Sequence, residues 1–139
     1  MVDDIRSLIP QRDPIMMVDT LERADYEGCV TTLTVRPDNF FVEDDGLMSE
    51  PGLVEHIAQS ASALAGFRAL KAGSKQAPVG YIGEVRHFAC LRRPAVGEHL
   101  VTTITMGPTV GEVTVVKGVT ASEGEKVAET QMKIAIKDQ

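Results

Sequence analysis

The sequence M-S-E-P-G-L-V-E-H-I-A-Q-S-A-S-A-L-A-G-F-R-A-L-K-A-G, residues 48–73, decides the fold. Its apolar residues recur at helical spacing up to Leu70, Pro51 suits a first helical turn, and Gly73 suits a terminator. The spacing therefore predicts one long helix over residues 52–70. Alanine, serine and glycine are frequent in it, and their small side chains let a neighbouring backbone approach closely. We therefore expect a sheet to enclose this helix and to bury most of its surface.

Three polar residues of this helix share one face. Glu55, Gln59 and Ser62 follow the spacing i, i+4, i+7. An ionised carboxylate costs several kcal/mol to bury unless it is paired or used, so Glu55 is a candidate functional group. The alternative is a first-turn acid that is merely favoured by the helix dipole. His56 points about 100° away from Glu55, and we expect it to pack in the core or in an interface.

The rest of the chain is predicted to form strands. A short helix over residues 3–8 precedes the first strand, and a loop over residues 38–50 leads into the long helix. Alternating apolar and polar residues predict six strands, at residues 15–23, 29–35, 79–88, 100–106, 113–119 and 128–136. Strands on both sides of a single helix indicate an α+β fold, with an antiparallel sheet curled around that helix.

Composition excludes several classes of function. The chain has 139 residues, of which 43% are hydrophobic and 24% charged, and one domain over residues 1–139 is expected. A net charge of -6 and only six aromatic residues argue against nucleic-acid binding. No apolar run approaches the ~18 residues of a membrane span, and the acidic start M-V-D-D-I-R lacks the features of a signal peptide. We therefore expect a cytoplasmic protein.

The cysteines and histidines do not form a recognisable metal or disulfide pattern. Cys29 and Cys90 lie far apart and fit reduced thiols better than a disulfide framework. The three histidines are scattered, and no C-x-x-C motif occurs. No metal site is expected.

Four motifs carry a family resemblance. They are L-I-P-Q-R-D-P-I-M-M-V-D (8–19), F-F (40–41), P-G-L-V-E-H-I-A-Q (51–59) and R-R-P-A-V-G-E-H-L (92–100). Together they resemble the hot-dog-fold β-hydroxyacyl-acyl carrier protein dehydratases. P-D-N-F-F, P-G-L-V-E-H-I-A-Q and G-E-V-R-H-F look most like the branch found in aryl-polyene pigment pathways. The resemblance implies a hot-dog fold, in which a curled antiparallel sheet wraps one long central helix, and homodimers joined through the third strands.

The resemblance also implies roles for individual residues. Glu55 matches the active-site carboxylate, Gly52 the backbone donor at the helix start, and Gln59 a neighbour on the same helical face. The family's loop histidine, which acts as the base, falls on Asp44 here, and the loop contains no histidine. Three alternatives therefore remain for the base. It is Asp44, it is His87 in the third predicted strand, or the chain has none.

Dehydration of a β-hydroxyacyl thioester needs a base, a donor to the thioester oxygen and an acid for the departing hydroxyl. Free N–H groups at Gly52 and Leu53, at the positive end of the helix dipole, are predicted to supply the donor. Ser62 lies where a small residue leaves room for an acyl chain, so it is a predicted substrate-binding residue.

Three classes of function stay open. The first is a β-hydroxyacyl thioester dehydratase of fatty-acid or polyene biosynthesis. The second is a catalytically impaired subunit that binds acyl chains or completes a heteromer with an active dehydratase. The third is an acyl thioesterase. The expected partners are an acyl carrier protein or acyl-CoA and further subunits, in a homodimer, a larger homo-oligomer or a heteromer. No separate cofactor is expected, because phosphopantetheine arrives as part of the acyl carrier substrate.

Overall fold

Within residues 4–73 and 79–137, which a computed structural model describes, the chain forms one long helix packed against a six-stranded antiparallel sheet. The elements are a 3-10 helix (Ile5–Ser7), β1 (Thr20–Ala24), β2 (Gly28–Thr34), α1 (Glu50–Lys71), β3 (Val79–Cys90), β4 (His99–Val110), β5 (Val113–Ser122) and β6 (Glu125–Lys137). The strand order is β1-β2-β4-β5-β6-β3. The predicted α+β arrangement, with an antiparallel sheet around the long helix, is confirmed.

The helix begins two residues earlier than predicted because Ser49 caps it. The Ser49 backbone is extended, and its side chain accepts a hydrogen bond from the Gly52 N–H at 3.3 Å. Pro51 lies in the first turn, where its missing N–H has no cost. The helix ends at Lys71, and Gly73 follows with a φ of +98°.

Small residues let the helix lie close to its neighbours, as predicted. Twelve of its 22 residues are buried. A Cβ on Gly66 would collide with the Leu8 carbonyl, where the N-terminal segment crosses the helix. A Cβ on Gly118 of β5 would collide with the side chain of Ile57. Both glycines therefore set how closely α1 approaches the chain around it.

Two predictions at the N-terminus are wrong in their bounds. The first strand was expected from residue 15 but begins at Thr20, because residues 15–17 hydrogen bond to helix side chains instead of to a strand. The helix expected over residues 3–8 is a single 3-10 turn, Ile5–Ser7, capped by the Asp4 side chain. Asp3 lies outside the described residues.

The last four strands are longer than predicted, and β3 forms one edge of the sheet. β3 pairs with β6 alone among the described residues and is interrupted by two irregularities in its register. The second irregularity lies between Arg86 and Ala89 and contains His87.

In the described part of the chain, no helix is long and apolar enough to cross a membrane. No group of three or more metal-ligating side chains occurs there either.

Candidate active site

The carboxylate of Glu55 lies in the second turn of α1 and is half-buried. The side-chain amide of Gln59, one turn further along, donates a hydrogen bond to Glu55 Oε2 at 2.9 Å. This contact confirms that the two residues share a face of the helix. Ser62 is also buried but makes no hydrogen bond through its side chain among the described residues. The polar pair is therefore Glu55 and Gln59.

The extended segment before β1 fixes the orientation of the Gln59 amide. The Met17 N–H donates to Gln59 Oε1 at 2.6 Å, and Gln59 Nε2 donates to the Ile15 carbonyl at 2.8 Å. An amide can place its oxygen toward an N–H and its nitrogen toward a carbonyl in only one way. The second hydrogen of Nε2 is thereby directed at Glu55, and Gln59 itself is 1% exposed.

His56 lies behind this pair, in the core, as predicted. It is fully buried between Met17 and β4: Nδ1 lies 2.6 Å from the Met17 carbonyl oxygen, and Nε2 lies 2.7 Å from Thr102 Oγ1. Burial lowers the pKa of His56 to about 4, although the hydrogen bond to Met17 and the charge of Asp19 favour the protonated ring. The ring is therefore neutral near pH 7.

The first turn of α1 differs from the prediction. The Gly52 N–H donates to the carbonyl and the hydroxyl of Ser49, and the Leu53 N–H donates to the same carbonyl at 3.3 Å. The expectation that these two N–H groups are free is therefore wrong, because the Ser49 cap occupies them. Gly52 also packs tightly, since a Cβ there would lie 2.5 Å from Cβ of Phe41. A role of Gly52 and Leu53 in substrate binding stays a prediction.

The two candidate bases, Asp44 and His87, both lie on exposed segments. Asp44 is exposed in the turn before α1. His87 is exposed in β3 and adopts a left-handed φ of 53°, a conformation typical of a bulge that redirects a side chain. Among the described residues, neither side chain hydrogen bonds to Glu55, so their catalytic roles stay predictions.

Arg93 fixes the turn that carries Asp44. Its guanidinium donates to Glu43 at 2.6 Å, to Asp45 at 3.0 Å and to the Met48 carbonyl at 3.0 Å. Backbone and Arg93 hydrogen bonds lower the pKa of Asp45 below its usual range. The acidic turn is thus held against the segment after β3.

The neighbouring Arg92 is also paired. It donates to Glu98 at 2.8 Å and to Glu125 at 2.9 Å, and these bonds raise its pKa. The Arg92 contact lowers the pKa of Glu98 to about 2, with help from the Ala95 N–H and the Ser122 hydroxyl. The basic residues around position 92 therefore have acidic partners within this chain.

A cavity of about 450 Å³ lies at the other end of α1, between Tyr26 and Phe67. Arg68 stacks over the Tyr26 ring at 5.4 Å there. This cavity does not include Glu55.

Sequence reasoning identified Glu55 and Gln59 but missed the groups that orient them. The orienting groups are the Met17 N–H and the Ile15 carbonyl. Every residue type has such backbone atoms, so the sequence does not reveal their role. The Ser49 cap had a signal, a serine directly before Glu50 and Pro51, that marks a helix start.

A curled antiparallel sheet around one long central helix is the hot-dog fold. Residues 3–139 match the family model ApeP-like: ApeP dehydratase, so the chain belongs to the ApeP-like dehydratase family. The predicted resemblance to hot-dog dehydratases of the aryl-polyene branch is confirmed.

Several solved structures share this fold. The dehydratase heterocomplex ApeI:P from Xenorhabdus doucetiae matches with a TM-score of 0.92 and 13% identity, over 100% of this chain and 94% of that chain. A hypothetical thioesterase from Streptococcus pneumoniae TIGR4, solved with coenzyme A, matches with a TM-score of 0.68 and 12% identity over 86% of each chain. The E. coli PaaI protein from the phenylacetic acid degradation operon matches with a TM-score of 0.67 and 14% identity, over 83% of this chain and 80% of that chain. No significantly similar sequence was found among curated proteins.

Proposed function

We propose that the chain is a dehydratase subunit that removes water from a β-hydroxyacyl thioester, with Glu55 as its catalytic carboxylate. The observation that carries the proposal is the fixed orientation of Glu55. Gln59 holds Oε2 at 2.9 Å, whereas Oε1 makes no hydrogen bond within the described residues. A helix-borne carboxylate held in one orientation in a chain of a dehydratase family is well placed to act on a bound substrate.

The proposed chemistry needs a base and an acid. A base removes the proton from the α-carbon, and the electron pair left behind forms the double bond to the β-carbon. The bond between the β-carbon and its hydroxyl oxygen breaks, and a proton from Glu55 Oε1 lets the hydroxyl leave as water. The substrate is an acyl group on the phosphopantetheine arm of an acyl carrier protein or on coenzyme A. The step uses no other cofactor.

The base comes from a second chain in this proposal. Gln59 is the one side chain that hydrogen bonds to Glu55 among the described residues. Asp44 and His87 are exposed and available to a neighbouring protomer. Support also comes from the structurally similar dehydratase ApeI:P, which is a heterocomplex. The base is thus Asp44 or His87 of a second copy, or a residue of a different dehydratase chain.

A thioesterase is the second candidate, because a structure with a similar fold is a hypothetical thioesterase solved with coenzyme A. In that reaction, a helix carboxylate would activate water to attack the thioester carbonyl. The products distinguish the two reactions: a dehydratase leaves an unsaturated acyl group on the carrier, and a thioesterase releases a free acid.

The test uses intact-mass spectrometry of a β-hydroxyacyl carrier protein incubated with the chain, alone and with a dehydratase chain that copurifies with it. We expect loss of one water, and a rate about 100-fold lower for Glu55→Gln because an acid catalyst is removed. Glu50→Gln is the matched control, since it removes an exposed carboxylate from the same end of the helix and should retain the rate.

Asp44→Asn and His87→Asn, assayed separately, identify the source of the base. Loss of activity in one of these variants indicates that a second copy of this chain supplies the base. Full activity in both variants indicates that a different subunit supplies it. Full activity in Glu55→Gln would reject the proposed function, and release of free acid would favour the thioesterase.

A further inference from the structure

A line of buried hydrogen bonds runs from the sheet to Glu55. It begins at Thr120 of β5, whose hydroxyl lies 2.7 Å from that of Thr102 in β4. Thr102 lies 2.7 Å from His56 Nε2, and His56 Nδ1 lies 2.6 Å from the Met17 carbonyl oxygen. Thr102, Thr120, His56 and Met17 are all 0% exposed.

The helix holds the Met17 residue on both sides of its Cα. His56 binds its carbonyl, and Gln59, three residues later, binds its N–H through Oε1 at 2.6 Å. The Gln59 amide nitrogen then donates to Glu55. Any movement of Met17 is therefore transmitted to Gln59 and from there to the catalytic carboxylate.

The direction of each hydrogen bond follows from its chemistry. The Met17 carbonyl can only accept, so His56 Nδ1 carries the hydrogen. In the neutral ring, which burial favours, Nε2 is then an acceptor and the Thr102 hydroxyl donates to it. Thr102 in turn accepts from Thr120. Each donor in this line meets an acceptor, so the ring has one preferred orientation.

We propose that His56 is a positioning residue for Glu55, acting through the Met17 peptide and the Gln59 amide. The inference rests on the function proposed above. His56 does not touch substrate. Its role is to keep Met17 where the Met17 N–H forces the Gln59 amide to face Glu55.

The chain offers a matched control one turn along the same helix. Ser60 is fully buried and its hydroxyl lies 2.7 Å from that of Thr31 of β2, so it also joins α1 to the sheet through polar side chains. The same hydroxyl donates to the backbone carbonyl of His56 at 2.8 Å, one turn back in the helix, and not to the His56 ring. No side-chain hydrogen bond leads from Ser60 to Gln59 or Glu55 in the described part of the chain. A residue that only stabilises the fold is expected to behave like Ser60.

The kinetic test compares His56→Leu, His56→Asn and Ser60→Ala by kcat and KM, per folded protein, on a β-hydroxyacyl carrier protein. In His56→Leu we expect kcat to fall about 10-fold or more with a nearly unchanged KM, because misplacement of a catalytic group costs mainly transition-state stabilisation. His56→Asn should recover most of kcat, since its amide nitrogen can replace Nδ1 as the donor to Met17. Ser60→Ala should retain the wild-type kcat.

A second readout does not depend on activity. The side-chain NH₂ of Gln59, observed by NMR, should exchange faster with solvent in His56→Leu than in wild type, and should keep its protection in Ser60→Ala. Thr102→Val, which removes the bonds of the Thr102 hydroxyl to His56 Nε2 and to Thr120 but leaves the His56 ring in place, should shift both readouts in the same direction if His56→Leu does not fold. Equal kcat and equal Gln59 protection in His56→Leu and Ser60→Ala would overturn the positioning role. Equal activity of wild type and Glu55→Gln would overturn the proposed function instead.

Discussion

Acidification should destabilise the protein through His56 before it affects the carboxylates. An unfolded histidine titrates near its ordinary pKa of 6.5, whereas the folded ring, buried between α1 and β4, has a pKa of about 4. The pKa is lowered by folding, so the unfolded state binds a proton first as the pH falls. Stability is therefore complete above pH 6.5 and declines steadily between the two pKa values.

The size of this decline follows from the two pKa values. Each pH unit within the window costs about 1.4 kcal/mol for one group. Between about pH 7 and pH 4.5 the loss is about 2.5 kcal/mol, and it corresponds to a fall of about 10 °C in Tm for a chain of this size. Glu98 contributes to the loss of stability only below its ordinary pKa of 4.5. The loss between about pH 7 and pH 4.5 is therefore due mainly to His56.

Urea unfolding at a series of pH values, in wild type, His56→Asn and His99→Asn, measures the effect. His56→Asn should lose about 2.5 kcal/mol less than wild type across the window, because asparagine does not titrate. His99 is exposed, and His99→Asn controls for the removal of one histidine; it should decline like wild type. A decline in His56→Asn as steep as that of wild type would show that the ring is not held neutral by burial.

Two further predictions concern the frame around the site. Gly66→Ala should lower the free energy of unfolding by about 2 kcal/mol, because the new methyl group meets the Leu8 carbonyl. Gly83→Ala is the control, since Gly83 has room for a Cβ, and it should lower the free energy of unfolding less in the same denaturation assay. Glu98→Gln should destabilise the protein at pH 7, because it removes the carboxylate partner of Arg92. The pKa of Glu98 is lowered by folding, so wild type loses this stabilisation as the pH falls from 4.5 toward 2. The Tm values of the two proteins should therefore converge at low pH.

Helical and strand periodicity in the sequence predicted the elements of the fold, because burial imposes a regular spacing on apolar residues. The same spacing brought Glu55 and Gln59 onto one face. The role of Met17 was not predictable in this way. Its contacts join residues about forty positions apart and use backbone atoms, which every residue possesses. The consequence was an error in the first strand, whose predicted start at residue 15 is instead a segment held by α1.

The polar residues between the helix and the sheet link the register of the strands to the site. The hydroxyls of Thr31, Thr102 and Thr120 point into the core at 0% exposure, and each meets a polar partner. A slip of β4 by one residue would turn Thr102 outward and leave His56 Nε2 buried without a partner, at a cost of about 1–3 kcal/mol. With an apolar residue at position 102, His56 Nε2 would lack this partner in every register, so the hydrogen bond would no longer distinguish one register from another. The buried threonines therefore select the one register in which His56 reaches Met17, and this register is the one in which Gln59 faces Glu55.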